Sequence, residues 1–314
     1  MPIPKLKNGK DIVFPSIVGP DYINHWKPEG YTNEEHHSDF TSISSSKLSL
    51  FTVSPYAYLY EIRKIQNGRE RTQTKSMRFG TISHLLVLEP AEFRKKVIIQ
   101  PDFSQTNIDK AKKAKWYLEQ PKDAVIFQGN KEGMKDYERF IGVVEAVASH
   151  PIASKIFKEG VSERSGYYRD PVTGFVCKFR PDHMSTIADG GLLPDLKTSQ
   201  SILMRDFQNS IAAYNLHIQM AMYREGYKAI TGAYPKSSPW VVIENSEPYE
   251  IAVYEPDPAM LSIGYDWYRY CLDNLLHCLK NQNFPQRQQR AQDIAPPDYL
   301  MNRPIPTIGA EIYE

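Results

Sequence analysis

Cysteine is scarce in this chain of 314 residues: Cys177, Cys271 and Cys278 are an odd number and form no C-x-x-C pair. That argues against a disulfide framework, a zinc ribbon or a four-cysteine iron–sulfur cluster, and a reducing cytoplasm fits best. Long apolar runs are missing too. None approaches the roughly 20 residues of a membrane helix, and Met1-Pro2-Ile3-Pro4-Lys5 lacks the apolar stretch of a secretory signal. A soluble, cytoplasmic protein without membrane contact is expected. There is no excess of charge of one sign: 38 Lys and Arg face 37 Asp and Glu, a net of +1. Any nucleic acid must therefore be held by a local basic groove, not by the field of the whole molecule.

What is present is a hydrophobic content of 41%, enough for one large domain with a substantial core. Residues 1–40 mix Pro, Gly, Asn and charge without clear periodicity and read as an irregular N-terminal arm. Residues 41–285 carry alternating helical and strand patterns. From Ser44 two short capped helices are predicted, the second opened by Pro55, and residues 76–89 place Phe79, Ile82, Leu85, Leu86 and Leu88 at largely helical spacing. Short strands at 97–99 and 124–127 flank a lysine-rich helix near 108–118, and a long helix follows from 132 to 148. Residues 161–197 read as a β-meander with strands at 165–169, 175–180, 186–188 and 192–196, the first turn being Asp170-Pro171-Val172-Thr173-Gly174. Helices at 201–212, 214–230 and 258–280 and strands at 239–244 and 249–254 complete an α/β domain. Residues 286–314, rich in proline, read as a C-terminal tail.

Chemistry concentrates on the meander. Pro181-Asp182 and Pro194-Asp195-Leu196-Lys197 offer two carboxylates and an ammonium from neighbouring strands. Period-two geometry puts Asp195 and Lys197 on one face while Leu196 points to the core. Phosphodiester hydrolysis needs that set: hard oxygen ligands for Mg²⁺ or Mn²⁺, and a lysine to orient water or neutralise developing charge. A solvated strand face or a buried salt bridge is the competing reading of the same residues. Leu192, Leu193 and Leu196 favour a core strand, where two charges are costly unless paired or metal-bound. Gln219 and Tyr223 are i and i+4 on one helix face and can reach the lysine or the DNA backbone, or Tyr223 is one of an aromatic core stripe with Tyr214 and Tyr227. Gly80 and His84 have the same spacing; Gly80 permits close backbone approach, and His84 is either a ligand or a packed histidine. Glu163 adds a carboxylate or is a surface strand residue.

Taken in order, Gly80-x-x-x-His84, Arg180-Pro181-Asp182, Asp195-x-Lys197 and Gln219-x-x-x-Tyr223 resemble the RecB-like branch of the PD-(D/E)xK nucleases, which includes lambda-type exonucleases. Ile43-Ser44-Ser45-Ser46-Lys47-Leu48 with Ser54-Pro55, Phe79-Gly80-Thr81-Ile82-Ser83-His84 running into Leu88-Glu89-Pro90, and Tyr168-x-Asp170-Pro171-x-Thr173-Gly174 look like the RecE-type exonuclease, a similarity spanning about residues 40–285. The resemblance implies a PD-(D/E)xK fold with a central mixed β-sheet flanked by helices, Mg²⁺-assisted hydrolysis with Mn²⁺ as a substitute, and 5′-to-3′ digestion of one strand of linear duplex DNA. It further implies a ring-shaped homo-oligomer, a tetramer or trimer, and a single-strand annealing partner of the RecT class in a phage or prophage recombination system. By the same likeness His84, Asp182 and Asp195 match metal ligands, Lys197 the catalytic lysine, Gln219 and Tyr223 an auxiliary motif, and Glu163 an acidic position of less certain role. Asp189-Gly190-Gly191 departs from the pattern by lengthening the hairpin between the two aspartates.

Two alternatives share these residues. One is an endonuclease or helicase-associated repair nuclease; the other is a DNA-binding subunit that has lost activity, which the intact Asp182, Asp195 and Lys197 oppose. Ser44 and Ser46, at a predicted helix start, offer hydroxyls to a 5′-phosphate or act as ordinary caps.

Overall fold

A computed structural model of the chain describes residues 3–69, 73–103, 110–121, 123–185 and 191–302. In chain order the elements are β1 (His25–Trp26), α1 (Asn33–Ser38), α2 (Ser45–Leu48), a 3-10 turn (Ser49–Thr52), α3 (Pro55–Gln66), α4 (Lys75–Leu88), α5 (Pro90–Lys96), β2 (Val97–Gln100), α6 (Lys110–Leu118), β3 (Val125–Gln128), α7 (Lys131–Ser149) and α8 (Ala153–Ile156). There follow β4 (Gly160–Ser162), β5 (Gly166–Arg169), β6 (Val176–Phe179), β7 (His183–Ser185), β8 (Asp195–Ser199), α9 (Met204–Tyr214), α10 (Leu216–Thr231), β9 (Trp240–Glu244), β10 (Ile251–Tyr254), α11 (Pro258–Lys280) and α12 (Asp298–Met301). Helix starts follow side-chain chemistry. The Thr74 hydroxyl accepts from Met77 N at the head of α4, Ser54 from Ala57 N at the head of α3, and Asp257 from Met260 N at the head of α11.

The fold is mixed α/β, but among the described residues its strands form four small sheets where one central sheet was expected. These are β1-β5-β6, β10-β9-β8, β2-β3 and β4-β7. Pro181 sits between β6 and β7, where pairing passes from β5 to β4, and a residue without an N–H ends a ladder there. Pro194 and Pro239 precede β8 and β9, whose bonding continues past them from Leu193 N–H to the Ser237 carbonyl and from Asp195 N–H to the Pro239 carbonyl. The predicted meander is divided accordingly. β5 and β6 form an antiparallel hairpin, whereas β7 pairs with β4 and β8 runs parallel to β9. Reciprocal backbone bonds between Ser185 and Leu192, with a bridge from Leu192 to Ser237, stitch β7 to the β8 side. The strand predicted at 186–188 and the Asp189 and Gly190 part of the predicted turn lie outside the described residues.

The first forty residues contain regular structure where only irregular chain was predicted. β1 extends the β5–β6 hairpin, and Thr32 and Glu35 close a capping box at the head of α1. Leu6 and Ile12 join the core formed by α2, α3, α10, α11 and the β5–β6 hairpin. A second core lies between α4, α7 and the β8–β9 pair, and Leu196 is fully buried in it. Glycine sets one approach that matters for the site: a Cβ on Gly80 would sit 3.3 Å from Thr198 Oγ1, so its absence lets α4 lie against β8.

The Asp170-to-Gly174 turn has a physical basis for its residues. Asp170 Oδ1 accepts from Thr173 N at 2.7 Å and Thr173 Oγ1 at 2.5 Å, Gly174 takes φ +76°, and Arg269 of α11 reaches Asp170 Oδ2 at 2.5 Å. Asp170 is buried, and its carboxylate holds the Arg269 guanidinium above its ordinary pKa despite burial. Removing one partner of a buried pair strands the other, so Asp170→Ala is expected to cost about 3 kcal/mol, while Asp170→Asn, which keeps the turn acceptor, costs less. Thermal melts of both variants check this; an Asp170→Ala protein melting with the wild type would contradict it.

Candidate active site

β8 supplies the first two groups. Its parallel register pairs Asp195 with Trp240, Leu196 with Val241 and Lys197 with Val242, and Leu196 points into the core as the alternation requires. Asp195 and Lys197 share the other face, with Lys197 Nζ 2.5 Å from Asp195 Oδ2. The Asp195 carboxyl is buried, and beyond that ion-pair contact neither of its oxygens has a hydrogen-bond partner of good geometry.

Asp182 arrives from the bend after β6. Its Oδ2 accepts the Leu196 N–H at 2.7 Å on the edge of β8 that β9 leaves free. His84, one turn beyond Gly80 on α4, brings Nδ1 to 3.7 Å from Asp182 Oδ2. Glu163 is placed by its backbone: its N–H donates to the Asp182 carbonyl at 3.1 Å, and it holds φ +52°, a left-handed conformation uncommon for a residue with a side chain. Its Oε2 accepts from Arg180 Nε at 2.8 Å, and Arg180 also donates to Ser165 Oγ and the Tyr31 carbonyl. One ligand atom from each of His84, Glu163 and Asp182 lies within 4.8 Å of the others.

Electrostatics of the cluster favour a cation. Burial, and then the charge of Asp182, push the Glu163 carboxyl up to about 7. Burial, opposed by Lys197 and reinforced by Asp182, pushes Asp195 up to about 6, and burial raises Asp182 as well. The His84 ring keeps a quarter of its side-chain surface; its partial burial and the nearby Lys197 ammonium pull it down to about 4, so it is neutral and able to donate a lone pair near pH 7. For Lys197 burial acts downward, but Asp195 and Asp182 outweigh it and keep the ammonium charged. One imidazole and two carboxylates in a close triad, beside a buried carboxyl short of partners, fit an oxygen-preferring divalent ion such as Mg²⁺ or Mn²⁺.

The auxiliary pair also reaches this neighbourhood. Gln219 Nε2 donates to Tyr223 OH at 3.1 Å along one face of α10. Burial, and then the charges of Asp182 and Asp195, drive the Tyr223 phenol far above its usual range, and its ring packs on Phe179 at 5.9 Å. Tyr223 thus packs on the core, as does Tyr227, and feels the charge of the carboxylates, while Tyr214 of the alternative aromatic stripe is largely exposed. Ser44 and Ser46 lie apart. Their hydroxyls face each other at 3.3 Å, Ser44 makes no side-chain cap bond, and neither lines the cavity described next.

A cavity of about 770 Å³ opens onto the cluster through His84, Glu163 and Arg180, and its outer wall includes Thr32, Asn33 and Glu34 at the head of α1. The sequence reading missed that wall. Its signal was legible as Thr32-x-x-Glu35, a capping-box pattern inside a stretch otherwise read as irregular.

Residues 44–295 match the family model described as a PDDEXK-like domain of unknown function (DUF3799). The chain belongs to that family. This PDDEXK-like chain is also similar in fold to a crystal structure from Eubacterium rectale described as a candidate exonuclease, at 12% identity and TM-score 0.51 over 86% of this chain and 96% of that one. A second solved structure, SSO0001, aligns over 62% of this chain and 95% of its own at 14% identity, with a TM-score of only 0.25. No curated protein matches the sequence.

Protons compete with a cation here. Glu163 at about 7 and Asp195 at about 6 bind more protons folded than unfolded, so their contribution to stability falls as pH rises through that range, and a bound cation restores it. His84 is already neutral above about 4 and does not compete. Mn²⁺ affinity is therefore expected to rise between pH 5.5 and 7.5, by about tenfold for each pH unit over which one proton is displaced. Calorimetric titrations at three pH values check it; a pH-independent affinity would contradict it.

Proposed function

We propose that this protein is a metal-dependent exodeoxyribonuclease that degrades the 5′-ended strand of linear double-stranded DNA and leaves 3′ single-stranded overhangs for recombination by strand annealing. The observation that carries the hydrolase part is the His84, Glu163 and Asp182 triad set against the Asp195–Lys197 pair on one edge of β8. End specificity, direction, a RecT-class annealing partner and a ring-shaped homo-oligomer of three or four subunits rest on the RecE-type sequence likeness.

His84, Asp182 and Asp195, with Glu163 adjoining, would hold Mg²⁺, for which Mn²⁺ is a substitute. When bound, such a cation polarises a phosphate oxygen and acidifies water. The remaining work belongs to the protein. Asp182 is fixed by the Leu196 N–H and so presents its carboxylate in one orientation. Lys197 stays protonated between two carboxylates, which suits it to stabilise negative charge on the phosphate or to orient the attacking water and makes it a poor general base. Tyr223, kept as a neutral phenol, can donate a hydrogen bond, and Gln219 orients it.

Linear duplexes labelled at the 5′ or 3′ end test this reading directly. Mg²⁺-dependent release of 5′ label as mononucleotide is expected from the wild type, with a loss of roughly 10²-fold or more in Lys197→Ala and Asp195→Ala, the scale seen when a charge-stabilising donor is deleted. Undiminished activity in Lys197→Ala would overturn the site assignment, and release from the 3′ end would overturn the direction.

A further inference from the structure

Helix α6 is poorly explained by folding. None of its side chains is buried, yet Lys110, Lys112, Lys113 and Lys115 crowd into six residues, and no acidic residue occurs between Lys110 and Leu118. Lys115 pairs with Glu119 at 3.8 Å, but both side chains are exposed and the contact is worth little. The helix is tethered more than packed: Tyr117 OH donates to Gln100 Oε1 of β2, and Trp116 meets Phe103 edge to face at 5.8 Å.

Beneath it, Gln100 and Gln128 pair across β2 and β3 and line two neighbouring cavities. One, of about 520 Å³, extends past Tyr117 to Lys75, Arg78 and Arg139; the other, of about 280 Å³, reaches Lys113. Arg78 and Arg139 are partly offset by Asp136, at 2.8 and 3.7 Å. Asp102 and Glu132 also line the two cavities and, with Asp136, balance Lys75, Arg78 and Arg139, so the net positive charge comes from the lysines of α6.

Two elements run from the active-site cavity to this trough, and both give the same separation. On α4, His84 lines the cavity and Lys75 the trough, nine positions apart, or about 13.5 Å at 1.5 Å per residue. Lys96, the last residue of α5 and the one that leads into β2, borders the cavity and Gln100 at the end of β2 the trough, four positions on, or about 13 Å at roughly 3.3 Å per residue. Phosphates of one duplex strand advance about 3.4 Å each along the axis and are spread further by winding around it, so the trough lies within about four nucleotides of the cavity.

We infer that α6 and the trough beneath it form a second nucleic-acid contact, which takes the phosphodiester backbone within about four nucleotides of the bond being hydrolysed. It rests on the nuclease reading above. Phosphates meet the lysine ammoniums, while Tyr117 and the Gln100 and Gln128 amides offer an aromatic ring and hydrogen-bonding groups to sugars or bases.

The test compares the wild type with Lys110→Gln/Lys112→Gln/Lys113→Gln, and with Lys5→Gln/Lys7→Gln/Lys10→Gln as a control of equal charge. Binding of a fluorescein-labelled 24-base-pair duplex is followed by anisotropy in EDTA, which stops cleavage, over a KCl series. The α6 variant is expected to bind about tenfold more weakly at 100 mM KCl and to lose about 0.9 from the log–log salt slope for each phosphate contact removed. The control keeps the wild-type slope. Hydrolysis of bis-p-nitrophenyl phosphate in Mn²⁺, a substrate too small to reach α6, stays at the wild-type rate in the α6 variant. An α6 variant with wild-type affinity and slope, or a control that loses as much, overturns this inference and leaves the nuclease reading standing. A wild type that binds no DNA and cleaves neither substrate overturns both.

Discussion

The site depends on one hydrogen bond, from the Leu196 N–H to Asp182 Oδ2 at 2.7 Å. It joins the carboxylate that follows β6 to the free edge of β8, and so brings together groups from two separate sheets. Asp195 and Lys197 lie on either side of the donor in sequence, so the same contact fixes their distance from Asp182. The position is electrostatically expensive. Three carboxyls gather around a single ammonium in a buried setting, and the result is visible in raised proton affinities at Asp182, Asp195 and Glu163. A cluster of this kind is poor as a fold stabiliser and well suited to a cation.

Around that junction the N-terminal segment acts as a brace. Lys178 on β6 is fully buried and donates to the carbonyls of His36 and Asp39, closing the C-terminal end of α1, and burial pushes its ammonium down to about 7. Two positions later Arg180 holds the Tyr31 carbonyl, just ahead of α1, and Glu163 together. One face of β6 and its continuation thereby grips both ends of α1 and orients a carboxylate of the triad. The wall of the cavity and the position of Glu163 are thus parts of one arrangement.

Much of the element pattern was legible because periodicity and caps are local. The alternation around Leu196 predicted which side of β8 faces the core, and i, i+4 spacing put Gln219 with Tyr223 and Gly80 with His84 on one helix face, though not the Gln219–Tyr223 hydrogen bond. Sheet organisation was not legible. The reading assumed one continuous meander, but pairing changes at Pro181 from β5 to β4, and the parallel partner of β8 is a strand more than forty residues later. The arm was legible only at its capping box: α1 is six residues long and is held by side chains from β6, so much of its stability lies in long-range contacts that no local pattern carries. Ser44 shows the reverse error, since a residue ideal for capping leaves the cap unmade and faces Ser46 instead.

The central claim is that the polar cluster on the β8 edge is a metal centre. The most direct measurement is an anomalous difference map from crystals soaked in Mn²⁺. A peak about 2.2 Å from oxygens of Asp182 and Asp195 and from a nitrogen of His84 is the predicted result. Manganese bound only elsewhere, with Lys197 still paired to Asp195 and no density between the carboxylates, would contradict it.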